Sequence, residues 1–153
     1  MLALHDHGGF KVFGKEKIAE GPEPLNETLL RWRDVYGGRS YANALAREGY
    51  AVLVPDTFLW GSRRFALETM PDFERHIADL GAEASRIAGR ADEYSRYNLA
   101  ASIHEHLVEK YCSLLGTTLS GIISYEDRVA ANYLHGRTDV QSGKIGCLGL
   151  SGG

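Results

Sequence analysis

Three short apolar runs along the chain have the hydrophobicity of buried β-strands. They lie at residues 1–4, 50–54 and 145–150. None of them alternates strictly between apolar and polar residues, as a strand with one solvated face would. Near-continuous apolar runs of this length are typical of strands that are covered on both faces, so we expect the three to form a mostly parallel sheet between helices.

Between these runs, apolar residues recur at helical spacing. Ser40 is a typical N-cap for a helix that Gly49 would end. A second helix is predicted to begin at Asp72, because apolar residues follow it at spacings of four and three: Phe73, Ile77, Leu80, Ala84 and Ile87. A third covers about 93–115 and a fourth 126–134. Their predicted apolar sides are Tyr97, Ala101, His104, Val108, Tyr111 and Leu115 in the third, and Val129, Ala130, Tyr133 and Leu134 in the fourth.

The order of these elements predicts an α/β fold, namely a three-layer α/β/α arrangement with a mostly parallel sheet. We expect one incomplete domain over residues 1–153, divided into a strand and loop (1–38), a helix and strand (39–56), a helical region (57–140), and a strand with a sharp turn (144–153). Sites in open parallel sheets lie beyond the carboxyl ends of the strands. The polar and glycine-rich segments after the three runs should therefore share one edge: 5–9, 56–64 and 151–153.

Two predicted connections, 10–38 and 57–70, are longer than the loops that usually join elements. We interpret 10–38 as a flap beside the site, with one helical turn near 27–33.

Composition excludes several functional classes. The chain carries 17 Lys and Arg against 20 Asp and Glu, a net charge of −3, so nothing indicates a surface for nucleic acid or anionic membranes. No apolar run reaches the roughly 18 residues of a membrane span, and no signal peptide is visible. Cys112 and Cys147 fit buried thiols better than a disulfide framework. We expect a cytoplasmic protein that acts on a small molecule.

The segment Gly149-Leu150-Ser151-Gly152-Gly153 fits the Gly-x-Ser-x-Gly pattern of a nucleophile elbow. In that motif a strand leads into a sharp turn that holds a serine in a strained conformation, and glycines let neighbouring backbone pack against it. The apolar run before Gly149 supplies the strand. A glycine-rich turn without a catalytic role would have the same letters.

A serine that attacks a carbonyl carbon needs hydrogen-bond donors for the oxyanion that forms. One donor is the backbone amide of the next residue, here Gly152. The other usually comes from the loop after an earlier strand, which corresponds to residues 5–9. The amide of His7 is the first candidate there, with Gly8 and Gly9 as alternatives.

Four segments carry a resemblance to a known family: LALHDHGGFKVFGKEKI, LAREGYAVLVPDTFLWGSRR, GTTLSGIISYEDRVAANYL and GRTDVQSGKIGCLGLSGG. Together they resemble the serine α/β-hydrolases, in particular the dienelactone hydrolase and acetyl xylan esterase-like branch. The resemblance implies a partial α/β-hydrolase fold in which Ser151 is the nucleophile of carboxylic-ester hydrolysis, without a cofactor or metal. Dienelactone hydrolases have cysteine at that position, so serine indicates the esterase side.

The resemblance also implies roles for residues around the proposed oxyanion hole. Asp56 and Arg63 would shape the pocket or hold a loop through an Arg–carboxylate pair. Gly9 and Phe10 would border the pocket, and Asp127 would pair locally at a helix start. His104, on a predicted apolar side, is expected to be a satisfied core histidine.

In this fold the triad acid and histidine follow the serine along the chain, so both are expected beyond residue 153. We therefore expect the chain to be part of a hydrolase, with little activity alone because an unassisted serine is a poor nucleophile. His5 or His7 could in principle serve as the base, although that loop usually supplies amides. Uncovered apolar surface would also favour self-association.

Two other classes remain open from the sequence. His5 and His7, at i and i+2 on an extended segment, could share a zinc or iron ion with Asp56 in a metal-dependent hydrolase. The last glycines could instead belong to a nucleotide-binding module. Their spacing, however, differs from the dinucleotide fingerprint, and no helix follows them.

Overall fold

The computed structural model describes residues 1–21, 26–90, 92–141 and 143–153. Within them, two strands and five α-helices follow one another in the order β1 (Leu2–Leu4), α1 (Glu27–Asp34), α2 (Tyr41–Arg47), α3 (Asp72–Ile87), α4 (Ser95–Leu114), α5 (Leu119–Gly136) and β2 (Cys147–Gly149). Single turns of 3₁₀-helix occur at Lys15–Lys17, Gly61–Arg63 and Leu67–Thr69. None of the helices in these ranges combines the length and the apolar character that a bilayer crossing needs.

The two strands pair in parallel, with Leu2 opposite Cys147 and Leu4 opposite Gly149. On the other side of β1, residues 50–54 form a single parallel bridge, between Leu2 and Leu53. Two hydrogen bonds make this bridge: the Ala3 amide donates to the Leu53 carbonyl at 2.9 Å, and the Leu53 amide donates to the Met1 carbonyl at 3.0 Å.

The predicted three-layer α/β/α fold with a mostly parallel sheet is wrong. The described residues are mostly helical, and their sheet consists of two three-residue strands. The pairing of β1 with β2 ends at Leu4 and Gly149. The run at 50–54 ends at Pro55, which has no amide to donate. The pairing of β1 does not extend further on either side, neither with β2 nor with residues 50–54. The chain between 57 and 140 forms helices instead.

Helices contact this short sheet from both sides. Leu2 and Leu4 pack with Leu134 of α5, whereas Ala3 packs with Ile18 and with Ala42 of α2. β2 differs from β1, because all three of its residues are exposed and Leu148 keeps 44% of its surface accessible. The expectation that all three apolar runs are covered on both faces is therefore wrong for the last run.

The predicted bounds of α3 and α4 are confirmed, but the predicted apolar side of α3 is wrong. Phe73, Ile77, Leu80 and Ile87 are at least half exposed, and we call these four residues the α3 outer stripe. The helix instead packs through Ala78 against Ala100 and Ala101 of α4. Gly81 explains why α3 packs on this face, since a Cβ on residue 81 would lie only 3.0 Å from Leu99 Cδ1 of α4. Small residues let two helices approach closely.

Local signals predicted the remaining helices well. α2 begins directly after Ser40, although the Ser40 side chain makes no capping hydrogen bond, and Gly49 follows the end of the helix with φ +90°. α5 begins earlier than predicted, because the Thr118 side chain accepts a hydrogen bond from the Gly121 amide and caps the helix there. The predicted helical turn near 27–33 is confirmed as α1. Part of the predicted flap, including Lys11, Lys17 and Ile18, is buried, and residues 22–25 of it lie outside the described residues.

Candidate functional site

The turn after β2 holds Ser151 in the left-handed region, with φ +58°. Non-glycine residues adopt this conformation only when their surroundings impose it, and they do so mostly at functional sites and tight turns. The Gly153 amide closes the turn by donating to the Leu150 carbonyl at 3.0 Å. The serine of the Gly-x-Ser-x-Gly pattern therefore has the sharp, strained backbone that the pattern predicts.

The glycines on either side of Ser151 are needed because the turn folds onto itself and onto β1. A Cβ at residue 149 would overlap the Gly153 carbonyl carbon. A Cβ at residue 153 would lie 2.7 Å from the His5 carbonyl oxygen and 2.9 Å from that of Leu4. The turn after β2 is thus packed directly against the end of β1.

This packing brings Gly152 beside the backbone of His7. The position of a Cβ on residue 152 lies 3.5 Å from the His7 nitrogen and 3.1 Å from the His7 Cβ. The parallel register accounts for the proximity, because Leu4 and Gly149 are opposite each other and both chains then turn at the same edge. The Tyr41 hydroxyl reinforces the register by donating to the Leu4 carbonyl at 2.6 Å.

The loop at residues 5–9 presents free backbone amides on this side. Gly9 donates its amide to His7 Nδ1 at 3.1 Å, so that amide is already engaged. Within the described part of the chain, the amides of His7, Gly8 and Gly152 donate no hydrogen bond. Gly8 has φ +51°, and a Cβ there would overlap the Asp6 carboxylate and the Trp32 ring, so only glycine fits. Two of the three predicted loop donors therefore remain available, together with Gly152.

A buried polar cluster that we did not predict anchors the same loop from inside. The Asp6 carboxylate accepts hydrogen bonds from Trp32 Nε1 at 2.9 Å and from the Tyr36 hydroxyl, and Lys17 Nζ lies 3.5 Å from its Oδ2. Burial alone would raise the pKa of Asp6, but these bonds and the Lys17 charge lower it overall. Trp32 lies in the last turn of α1 and Tyr36 in the turn that follows it, so no helical spacing in the sequence indicated that both reach Asp6.

A second unpredicted cluster fixes the His7 side chain. His7 Nε2 lies 3.0 Å from Glu105 Oε1, and Glu105 also pairs with Lys11. The Lys11 side chain is 1% exposed, and its ammonium lies 3.5 Å from the centre of the Trp60 ring. Burial lowers the pKa of Lys11, although Glu105 opposes the shift. Trp60 in turn donates its Nε1 hydrogen to the His7 carbonyl at 3.0 Å.

Asp56 lies at the same edge but points into its own loop. Its carboxylate accepts from the Lys15 amide at 2.7 Å, the Lys15 ammonium at 2.6 Å, and the Ser62 amide and hydroxyl at 3.0 and 2.6 Å. Burial would raise the pKa of Asp56, yet these four bonds lower it to about 2. Asp56 is therefore ionised at neutral pH, and its carboxylate links residues 57–62 to Lys15.

Arg63 forms an Arg–carboxylate pair, but its partner is Glu126 of α5 rather than Asp56. Arg63 Nη1 donates to Glu126 Oε2 at 2.6 Å and reaches only the carbonyl of Asp56, at 3.4 Å. Asp127 lies in the middle of α5 instead of at a helix start, and burial raises its pKa. Arg63, Asp56 and Asp127 all border an open groove of about 570 Å³ beside α5.

The remaining predicted residues are not all brought together. Gly152 and His7 line a cavity of about 140 Å³ that also touches Trp60, Glu105 and Ser120. Gly9 and Phe10 face a different cavity, bordered by Asn98 of α4. His104, predicted as a core histidine, is mostly buried and its Nδ1 lies 2.8 Å from Glu74 Oε2.

The two histidines do not converge on a common point. His5 Nε2 accepts from the Thr57 amide at 3.2 Å, so its Nδ1 carries the proton and donates to the Asp6 carbonyl at 2.9 Å. Both nitrogens of His7 are also engaged, by Gly9 and Glu105. Among the residues that the structure describes, no three His, Cys, Asp or Glu side chains are grouped to hold a metal ion. The donor set of this loop does not fit the metal-dependent alternative.

Comparison with known proteins gives one relative. The whole chain is 26% identical to a Bacillus subtilis (strain 168) protein named "Putative hydrolase YtaP", and the match covers 35% of that protein. The chain thus spans about a third of the length of this relative. No family model and no solved structure matches the chain. At this identity and coverage, the similarity does not assign the chain to the esterase branch.

Proposed function

We propose that this chain carries the nucleophile and the oxyanion hole of a serine hydrolase that cleaves carboxylic esters. The observation that supports it most is the left-handed Ser151 at the end of a parallel strand, with Gly152 packed against the His7 backbone. A serine at φ +58° costs backbone energy, and such strain is retained where function needs it.

In the proposed reaction, Ser151 Oγ attacks the ester carbonyl carbon and loses its proton to a base. The carbonyl oxygen becomes an oxyanion that accepts hydrogen bonds from the Gly152 amide and from the amide of His7 or Gly8. Collapse of the tetrahedral intermediate expels the alcohol with a proton and leaves an acyl-serine, which water then hydrolyses. The free amides of these three residues are the donors that this step requires.

The base is not supplied by the histidines nearest the turn. His5 is buried with both ring nitrogens hydrogen-bonded, and burial lowers its pKa. His7 directs Nε2 to Glu105 and accepts from Gly9 at Nδ1, so neither nitrogen is directed to a serine hydroxyl. We therefore propose that the triad acid and histidine belong to sequence beyond residue 153 and that the 153 residues alone have little activity.

A fluorophosphonate probe, which reacts with activated serines, tests the proposal. We compare the 153-residue chain with the product of the reading frame continued past codon 153, and use Ser151→Ala as the control in both. The expected result is strong labelling of Ser151 in the longer product and weak labelling in the shorter chain. Equal strong labelling would show that the base lies within these residues. Absence of Ser151 labelling from the longer product would refute the hydrolase.

A further inference from the structure

Two carbonyl groups of the loop at residues 5–9, those of Asp6 and His7, are bound by the buried ammonium of Lys17. Lys17 Nζ donates to the Asp6 carbonyl at 3.2 Å and lies 3.4 Å from the His7 carbonyl. Its side chain is 0% exposed. A buried ammonium is costly, so its position indicates contacts that compensate the cost.

The direction of these carbonyls determines the direction of the amides. In a planar trans peptide, the N–H points opposite to the C=O of the same unit. The Asp6 carbonyl belongs to the same peptide unit as the His7 amide, and the His7 carbonyl to the same unit as the Gly8 amide. Because Lys17 binds both carbonyls, both amides face away from it. The His7 nitrogen lies 3.5 Å from the position of a Cβ on Gly152, so the His7 peptide unit borders the turn that carries Ser151.

We propose that Lys17 is a positioning residue, whose buried ammonium orients the His7 and Gly8 amides toward the turn that carries Ser151. The catalytic meaning of this orientation rests on the proposed function, in which these amides bind the oxyanion. The orientation itself is a property of this chain and can be measured without activity.

Other side chains also bind the Asp6 and His7 carbonyls, and this limits the expected effect of removing Lys17. Trp60 Nε1 also donates to the His7 carbonyl, and His5 Nδ1 donates to the Asp6 carbonyl. Lys17 is the one group among the described residues that binds both carbonyls and the Asp6 carboxylate. Its loss should therefore loosen the two peptide units without releasing the whole loop.

The first test measures ¹⁵N relaxation of the His7 and Gly8 amides in the 153-residue chain and in Lys17→Met, which keeps the length of the side chain but removes its donors. We expect order parameters near 0.85 in the parent and below about 0.6 in the variant. Lys15→Met is the matched control, because Lys15 pairs with Asp56 and touches neither carbonyl. Unchanged order parameters in Lys17→Met would overturn the proposal.

A second variant separates positioning from charge balance. Lys17→Met leaves the Asp6 carboxylate buried without its cation, and that alone could disturb the loop. The double variant Asp6→Asn, Lys17→Met restores neutrality but leaves the two carbonyls without the ammonium that binds both of them. Under our proposal the His7 and Gly8 amides stay mobile in the double variant. Parent-like order parameters there would show that Lys17 only neutralises Asp6 and would overturn the proposal.

A pH titration of the unaltered chain needs no variant to fold. Desolvation lowers the pKa of Lys17 to about 8, although Asp6 opposes the shift and Lys11 adds to it. The charged or titratable groups that face it are Asp6, Lys11 and His5. The sequence contains two tryptophans, and Lys17 Nζ lies 4.9 Å from the Trp32 ring. We expect the Trp32 indole resonance to shift as Lys17 loses its proton near pH 8, together with increased mobility of the Gly8 amide. A Trp32 shift without any change in the mobility of the Gly8 amide would contradict the proposal.

Labelling of the longer product distinguishes the two proposals. If Lys17 positions the oxyanion donors, Lys17→Met should lower the rate of Ser151 phosphonylation by about tenfold or more, whereas Lys15→Met should not. If Ser151 is never labelled but the amides of Lys17→Met are mobile, the hydrolase proposal fails and the positioning role stands. If Ser151 is labelled at the same rate in Lys17→Met and the parent, the positioning role fails and the hydrolase stands.

Discussion

Replacing Asp56 by asparagine should destabilise the chain by roughly 2 kcal/mol at neutral pH. The pKa of Asp56 falls from 3.8 to about 2 in the folded chain. At about 1.36 kcal/mol per pKa unit, the folded state stabilises the carboxylate by roughly 2 kcal/mol relative to the unfolded chain. Asp56 is 7% exposed, so solvent screens its contacts little. Asparagine keeps the size of the side chain but loses the charge that the Lys15 ammonium requires.

The sign of the pH dependence follows from the lowered pKa. A carboxylate with a lowered pKa stabilises the folded state fully above its unfolded value of 3.8. That contribution is lost as the pH falls from about 4 to about 2, because Asp56 becomes protonated in both states. The difference between the parent and Asp56→Asn should therefore be largest near pH 7 and shrink toward pH 2.

Urea unfolding followed by circular dichroism at pH 7, 4 and 2 measures this difference, provided that the m-values agree. Glu16→Gln is the control, since Glu16 lies 3.4 Å from the same Lys15 ammonium but is partly exposed. Exposed pairs contribute little, so the control should change stability by less than about 0.5 kcal/mol. A difference for Asp56→Asn that is equally small at pH 7, or that persists undiminished at pH 2, would refute the reasoning.

Three further predictions concern other parts of the chain. Gly8→Ala should cost about 2–4 kcal/mol in thermal unfolding, since a Cβ there overlaps side chains, whereas Gly9→Ala, with open space around it, should cost about 1 kcal/mol; equal costs would contradict the packing. Cys147 is exposed and Cys112 is buried, so a thiol reagent should modify Cys147 in the folded chain and Cys112 only on unfolding. The reaction of Cys147 should be slow at neutral pH, because partial desolvation and the nearby Asp127 raise its pKa. Modification of both cysteines in the folded chain would be inconsistent with the fold. Self-association should appear in sedimentation velocity and weaken when Leu80→Lys places a charge in the α3 outer stripe, whereas a monodisperse parent monomer would contradict it.

Helix positions could be predicted from the sequence because their signals are local. Ser40 and Gly49 bracket α2, and the periodic apolar residues after Asp72 correctly locate α3. The face on which α3 packs could not be predicted in the same way. The hydrophobic stripe favoured one side, but Gly81 and Ala78 let α4 approach on the other, and only the position of α4 decides between the two.

The sheet was predicted wrongly because apolar runs do not specify how far they pair. β1 and β2 lie within two of the three predicted runs, but they pair over only three residues. The third run, at 50–54, makes a single bridge. Pairing length depends on whether both neighbours remain extended. Pro55, which has no amide hydrogen, ends the run at 50–54, and the hydrophobic pattern alone does not show how far β1 and β2 pair.

The candidate site, like the fold, was predicted from the sequence only in part. The pattern around Ser151 predicted a strained turn, and the turn is present with φ +58°. The loop at residues 5–9 was predicted to lie beside it, and the His7 nitrogen does so. Lys17 and Trp60 were missed because their partners in the loop lie 10 or more residues away in the chain, at distances that only the folded backbone defines.

Two sets of contacts together determine the geometry of the proposed site. The parallel register of Leu4 and Gly149, reinforced by the Tyr41 hydroxyl, brings the two turns to one edge. It does not orient the peptide units within them, because a three-residue ladder ends before the loop begins. Orientation comes from side chains that bind the carbonyls of the loop, chiefly Lys17 and Trp60, and leave its amides free. A change in the ladder should therefore move the whole loop relative to Ser151, whereas a change at Lys17 should rotate single amides while the loop stays in place.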